Sequence, residues 1–246
     1  MNIELDKIYN ESCLDTLAKM EDDSVDIVIT SPPYNLQLRI MNGKYCRRRP
    51  HSKDAHTPKY GTADDGLPLE EYNHFHSTVL KECLRVADLI FYNIGIVTGS
   101  KRSVFKMIGD FSDNLKEIIV WDKGHAQPAM AEGVLNRQSE LILVFENDCP
   151  ISRQFRNRAT FDRGTLSDVW SIGRERSKNK RHGAVMPTKL VETILTNFSR
   201  TGDIIFDPFM GTGTTALVAQ QNGRHFIGSE IDPDFIETAN ERLRLQ

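Results

Sequence analysis

Two short stretches of this 246-residue chain combine residue types that can do chemistry at the end of a strand. The first is Ser31-Pro32-Pro33-Tyr34, which stops the apolar, β-branched run VDIVIT at 25–30. Proline has no N–H and fits neither a helix interior nor a central strand, so the turn offers carbonyl oxygens without competing donors. Ser31 adds a side-chain oxygen. Tyr34 adds a flat ring that is expected to lie exposed, its face rather than its hydroxyl being the working part. Acceptors beside an aromatic plate suit a planar ring that carries an NH₂ group. Such an amine is a poor nucleophile because its lone pair is delocalised into the ring. Accepting its two N–H protons shifts the nitrogen toward sp³ character and aims the lone pair.

The second stretch is Asp207-Pro208-Phe209-Met210-Gly211-Thr212-Gly213-Thr214-Thr215, between the strand-like DIIFD and the helical ALVAQQN. Glycines there allow a tight turn and a close backbone approach to a ligand. Glu230 closes the next strand-like run, RHFIGSE, where a carboxylate can accept both hydroxyls of a ribose. The layout is that of a nucleoside site. It is neither a P-loop nor GxGxxG, because no lysine follows the glycines and the spacing differs. Asp207 suits a cationic or amine-bearing ligand better than a pyrophosphate.

These turns need a frame, and the hydrophobic pattern supplies one. VDIVIT reads as a strand buried on both faces, and LIFYNI (89–94), KEIIVW (116–121) and ELILVF (140–145) are further strands. SCLDTLAKM, 69–87, 189–198 and PDFIETANERLRL carry helical spacing. Strands alternating with helices predict an α/β fold with a mostly parallel sheet, whose ligands sit at the carboxyl ends of its strands. At this length one domain, 1–246, is expected. Residues 36–66 are polar, basic and rich in Gly and Pro, and read as a long mobile loop.

The apolar residues (39%) and charged residues (26%) are ordinary for a globular chain, and no run reaches the roughly 18 apolar residues of a membrane span. The N-terminus lacks the pattern of a secretory signal, and the four cysteines form no CxxC pair, so a reducing, cytoplasmic setting is expected. The seven histidines form no metal set and read as surface or structural residues; no metal is expected. Net charge is −3, but 36–60 holds seven Lys/Arg against Asp54, and 153–182 holds nine against three acids. Two basic segments on an acidic body fit a polyanion-binding surface.

At the two turns the chain resembles a known family, the β-class amino-methyltransferases of DNA found in bacteria and phages. TSPPYN (30–35) matches the catalytic motif and DPFMGTGTT (207–215) the S-adenosylmethionine motif, in the order of that class. SVDIVITSPPYN, IIVWDKG, NRQSELILVF and the closing stretch from His182 to ERL match as flanks. The resemblance implies a Rossmann-like S-adenosylmethionine-dependent methyltransferase with a seven-stranded sheet, circularly permuted motif order and a small recognition insertion at 151–183. Residues 184–246 would form the cofactor part.

Carried over residue by residue, the resemblance makes Ser31, Pro32, Pro33 and Tyr34 catalytic. Ser31 and the Pro32 carbonyl accept from the target amine, and Tyr34 stacks on a flipped base. Asp207, Pro208, Phe209, Gly211, Gly213 and Thr214 hold the methionine part of the cofactor, Glu230 its ribose, and Pro187 helps cover it. Ser12 stands where the family often has an acidic residue beside the adenine. Arg47, Arg48, Arg49, Arg153, Arg156, Arg158, Arg174 and Arg176 become the expected DNA contacts. Double-stranded DNA is the implied partner, with a homodimer and a cognate restriction endonuclease as further candidates.

Cytosine N4 is preferred as the target because Ser at position 31 is more typical of that group; adenine N6 is the alternative. An RNA or protein-glutamine substrate, or a non-catalytic nucleic-acid binder, are more distant readings. Motif order speaks against the former, and two intact motifs against the latter.

Overall fold

The computed structural model describes residues 3–41, 44–47, 65–127, 132–149, 152, 154–155, 158–175 and 185–244. In chain order its elements are β1 (Lys7–Tyr9), α1 (Cys13–Leu17), β2 (Val25–Thr30), β3 (Leu38–Met41), β4 (Lys44–Arg47), α2 (Leu69–Val86), β5 (Ala87–Ile94) and α3 (Lys101–Asp110). There follow β6 (Leu115–Gln127), β7 (Arg137–Glu146), β8 (Val169–Ser171), α4 (Thr188–Phe198), β9 (Ile204–Asp207), α5 (Thr214–Gln221), β10 (His225–Ser229) and α6 (Pro233–Arg244).

Successive residues of a strand point to opposite faces, and this chain makes both faces apolar. Ile27, Ile29, Leu89, Phe91, Ile142 and Val144 pack on one side with Leu195 and Phe198 of α4 and Val218 of α5. Val28, Ile90, Tyr92, Leu143 and Phe145 pack on the other with Leu17 of α1, Leu80 of α2 and Val104 of α3. Each such side chain, fully buried, contributes roughly 1.5–3 kcal/mol. The result is three layers, helices on both faces of one sheet. Among the described residues no helix is long and apolar enough to cross a membrane.

Among the described residues the sheet has eight strands, in the order β1-β10-β9-β2-β5-β7-β6-β8. The block from β1 to β5 is parallel, β7 runs antiparallel to β5 and β6, and β8 is parallel to β6. The expectation of a mostly parallel α/β sheet holds. The expected count of seven is exceeded by one, because three-residue β8 pairs Trp170 with Trp121 and buries its own indole. So short a strand carries no readable period.

Two strands far apart in sequence, β2 and β9, are neighbours, with Ile27 opposite Ile205 and Val28 opposite Phe206. Their carboxyl ends therefore emerge side by side, and each ends in one of the two turns.

The 36–66 segment is not one loop. Strands β3 and β4 pair antiparallel as a hairpin, with Leu38 opposite Arg47. Residues 42–43 and 48–64, with Arg48 and Arg49, lie outside the described residues, as does the Arg47 side chain.

The 151–183 segment is also more built-in than an insertion. Phe155 and Phe161 pack against Phe198, with ring centroids 5.1 and 5.4 Å away. Arg158 is not a free DNA contact. Its Nη2 lies 2.8 Å from Asp26 and 2.6 Å from Asp88, and its Nη1 lies 3.4 Å from Asp203. Those acids sit at the amino ends of β2 and β5 and just before β9, the end of the sheet away from the two turns. Three carboxylates at one place need a cation, and Arg158 supplies it. Arg158→Ala is expected to destabilise the fold by about 1–3 kcal/mol in urea denaturation, after discounting for the partly exposed acids, while leaving the DNA motif selected unchanged.

Candidate active site

Asp207 ends β9 almost fully buried, 3% exposed. Its Oδ1 accepts from the Thr30 hydroxyl (2.8 Å) and the Phe209 N–H (3.0 Å), and its Oδ2 from the Thr215 hydroxyl (2.6 Å). Thr30 is the last residue of β2, so a single hydrogen bond ties the proline turn to the glycine-rich turn. Burial pushes the Asp207 carboxyl up to about 6, against the pull of its three donors.

Glu230, one residue past β10, is oriented in the same way. Its Oε2 accepts from the Gly211 N–H (2.8 Å) and its Oε1 from the Asp232 N–H (2.9 Å). Each oxygen keeps a lone pair for a ligand. Burial raises this carboxyl above its ordinary value.

Between these carboxylates lies a cavity of about 280 Å³. Ser12, Ser31, Pro33, Asp207, Pro208, Phe209, Gly211, Thr214 and Glu230 all line it, so both turns face one space. Pro32, Tyr34, Gly213 and Pro187 do not. Gly213 works behind the wall. It starts α5 in a left-handed conformation (φ 79°), and a Cβ there would stand 2.7 Å from the Cβ of Ala239 in α6. Pro187 starts α4, and its neighbours Val185 and Met186 reach the cavity instead. Ser12 caps α1, accepting weakly from the Leu14 N–H at 3.4 Å.

The lining holds Glu11, Asp207 and Glu230 and, among the described residues, no Lys or Arg. The three carboxylates fit a cationic ligand better than a pyrophosphate. Phe75, Phe209 and Phe235 give the space apolar walls. A nucleoside with a positively charged, amine-bearing tail matches this set of donors, acceptors and apolar surface.

Several lining residues carry no local sequence signature. Tyr72, Phe75 and His76 arrive from α2, whose apolar face also packs on the sheet. His76 is not a surface histidine: burial lowers its pKa to about 3, and its Nδ1 hydrogen-bonds the Tyr92 hydroxyl. Among the described residues no cluster of His, Cys, Asp or Glu is arranged to hold a metal ion.

Tyr34 departs most from expectation. It is 7% exposed, not an open plate. Its ring lies against Gly95, where a Cβ would come within 2.8 Å of the ring edge. Its hydroxyl donates to Glu140 Oε2 (2.9 Å), accepts from Asn93 Nδ2 (2.9 Å) and lies 3.0 Å from Ser31 Oγ. The Tyr72 hydroxyl donates to the Pro33 carbonyl (2.8 Å), and Asn35 closes the turn at φ 59°.

Of the expected DNA contacts, Arg174 is exposed and available, and Arg158 is committed elsewhere. Arg153, Arg156 and Arg176 lie outside the described residues.

A doubly wound sheet with a cation-accepting nucleoside cavity at adjoining strand ends defines a Rossmann-like transferase. Residues 25–241 match the family model described as DNA methylase, and the chain belongs to that family of S-adenosylmethionine-dependent DNA methyltransferases acting on cytosine N4 or adenine N6. It is 28% identical to the type II methyltransferase M.HinfI of Haemophilus influenzae, over 98% of this chain and 68% of that protein. It is 26% identical to the type II methyltransferase M.BglII of Bacillus subtilis, over 97% of this chain and 69% of that protein. In fold it is similar to the cytosine-N4-specific PvuII DNA methyltransferase, with a TM-score of 0.70 at 18% identity over 96% of this chain and 85% of that one. The M1.HpyAVI–SAM complex has a TM-score of 0.60 at 19% identity over 96% and 99%.

The contact between Gly95 and Tyr34 yields a direct test. Gly95→Ala is expected to fold, to bind S-adenosylmethionine within about twofold of wild type, and to lose roughly ten- to a hundred-fold in turnover as the Tyr34 ring is displaced. Calorimetry and single-turnover kinetics on the same preparation check both halves.

Proposed function

We propose that this enzyme transfers a methyl group from S-adenosylmethionine to N4 of a cytosine flipped out of duplex DNA. The observation that carries the reading is the shared cavity: Ser31 and Pro33 of one turn and Asp207 to Gly211 of the other line it together, joined behind by the Thr30–Asp207 hydrogen bond.

When bound, the cofactor supplies a methyl group on a sulfonium, a leaving group good enough that the chain needs no nucleophile of its own. Asp207 and the backbone around Phe209 and Gly211 hold its charged tail. Glu230 accepts from the ribose, and Phe75, Phe209 and Phe235 enclose the base. At the target, Ser31 Oγ and the Pro32 carbonyl accept the amine protons; the Pro33 carbonyl is already used by Tyr72. Tyr34 backs this turn from behind, its ring against Gly95 and its hydroxyl beside Ser31 Oγ. Extrusion from the duplex is needed because the amine is out of reach inside the stack.

The choice of cytosine rests on Ser31 in the acceptor position and is supported by the specificity of the PvuII enzyme, whose fold this chain shares. Adenine N6 is the second reading, since its amidine edge offers the same protons. DNA is proposed to lie across this end of the sheet, contacted by the β3–β4 hairpin and by Arg174. So small a reader is the reason to expect a second copy on the duplex. The type II relatives are the reason to expect a partner endonuclease.

Plasmid DNA incubated with enzyme and S-adenosylmethionine, digested to nucleosides and weighed by mass spectrometry, is expected to contain N4-methylcytosine. N6-methyladenine would give the second reading, and the absence of any methylated exocyclic amine would overturn both. Tyr34→Ala is expected to bind cofactor normally and to lose at least roughly tenfold in turnover. DNA affinity should fall steeply with salt, by about 0.9 log units in K per log unit of salt for each phosphate neutralised.

A further inference from the structure

Beside the cofactor cavity a second group of polar residues runs across four strands at the same end of the sheet. Ser31 and Tyr34 follow β2, Asn93 is the last residue but one of β5, Glu140 lies in β7 and Lys123 in β6. The Lys123 ammonium sits 2.9 Å from Glu140 Oε1, and their side chains are only 4% and 18% exposed. An ion pair so well buried contributes little net stability, which turns attention to what it orients.

Glu140 Oε2 can only accept, so the Tyr34 hydroxyl at 2.9 Å must donate to it. With its one proton committed, the Tyr34 oxygen can only accept from its other neighbours. Asn93 Nδ2 donates to it at 2.9 Å and also faces Glu140 Oε2 at 3.2 Å and, at the longer distance of 3.3 Å, Ser31 Oγ. The carboxylate fixes which way the Asn93 amide points, because its carbonyl there would face an anion. The Asn93 Oδ1 is left buried without a partner. Leaving such an atom unpaired is costly, a sign that the arrangement is not optimised for stability.

Ser31 Oγ is 3.0 Å from the Tyr34 oxygen. Since that oxygen cannot donate to it, Ser31 donates its own proton. The hydrogen bonds then all run one way, from Ser31 to Tyr34 to Glu140, with Lys123 anchoring the far end. We propose that this chain makes Ser31 an acceptor toward the target amine, so that Lys123 and Glu140 are positioning residues acting through the Tyr34 hydroxyl. A serine with a free proton could instead donate to the target ring and hold the amine in the wrong orientation. No proton is transferred along the chain; only the direction of its bonds is set. The inference rests on the proposed role of Ser31 at the amine.

The test is a set of variants on the full-length enzyme. Lys123→Met/Glu140→Gln removes both charges together, so neither is left buried alone, and Tyr34→Phe removes only the hydroxyl. Each is expected to lose roughly ten- to a hundred-fold in kcat while S-adenosylmethionine affinity stays within about twofold. Fluorescence of 2-aminopurine placed beside the methylated base should still report binding and extrusion of that base. In a Ser31→Ala background neither change should reduce turnover further, because its only route of action is gone. Losses that multiply in that background, or full activity in Tyr34→Phe, would overturn the proposal. If Ser31→Ala itself retains wild-type turnover, the underlying role of Ser31 fails instead.

Discussion

Everything at the working end of this protein depends on one buried carboxylate. Asp207 is cut off from water and receives hydrogen bonds from Thr30, Phe209 and Thr215. Three donors converging on one group fix three pieces of chain at once: the end of β2, the glycine-rich turn and the first turn of α5. The proline turn and the glycine-rich turn are 177 residues apart at this hydrogen bond, yet become a single wall. Strand pairing of β2 with β9 brings them to the same level, and Asp207 sets the spacing between them.

That arrangement does not depend on the order of the two turns along the chain. The sheet, not the sequence, makes β2 and β9 neighbours, and their carboxyl ends form the crevice where ligands bind in doubly wound folds. Glu230 repeats the device one strand further out, its two oxygens held by Gly211 and Asp232. The opposite end of the sheet shows what the same charges do when no ligand is needed. There Asp26, Asp88 and Asp203 are answered by Arg158 from within the chain. The cavity has no such resident cation among its described lining, which leaves room for one that is brought in.

The sequence makes β2, α2 and both turns legible because each has a local cause: an unbroken β-branched run, a helical apolar stripe, prolines that stop a strand, glycines that open a helix. What it does not reveal is long-range. Tyr34 reads as exposed because a proline turn ends a strand, but Asn93 of β5 and Gly95 just beyond it close over it. Arg158 reads as a DNA contact because its neighbours are basic; its three acids are scattered over the chain. Glu140 and Lys123 lie in stretches that match the family as flanks, yet only the pairing of β6 with β7 shows that they meet. The β3–β4 hairpin hides in a polar, glycine-bearing segment with weak alternation.

Asp207, desolvated and placed to pair with a cation, is proposed to govern cofactor binding. Its carboxyl is raised to about 6, so a cationic ligand that binds the ionised form must lose affinity below that value. S-adenosylmethionine affinity measured by calorimetry between pH 5 and 8 should be flat above about 6.5 and weaken by up to roughly tenfold per unit below 6. In Asp207→Asn it should be weak and independent of pH. Wild-type affinity that stays constant down to pH 5, or an Asp207→Asn variant that binds as tightly as wild type, would contradict the account.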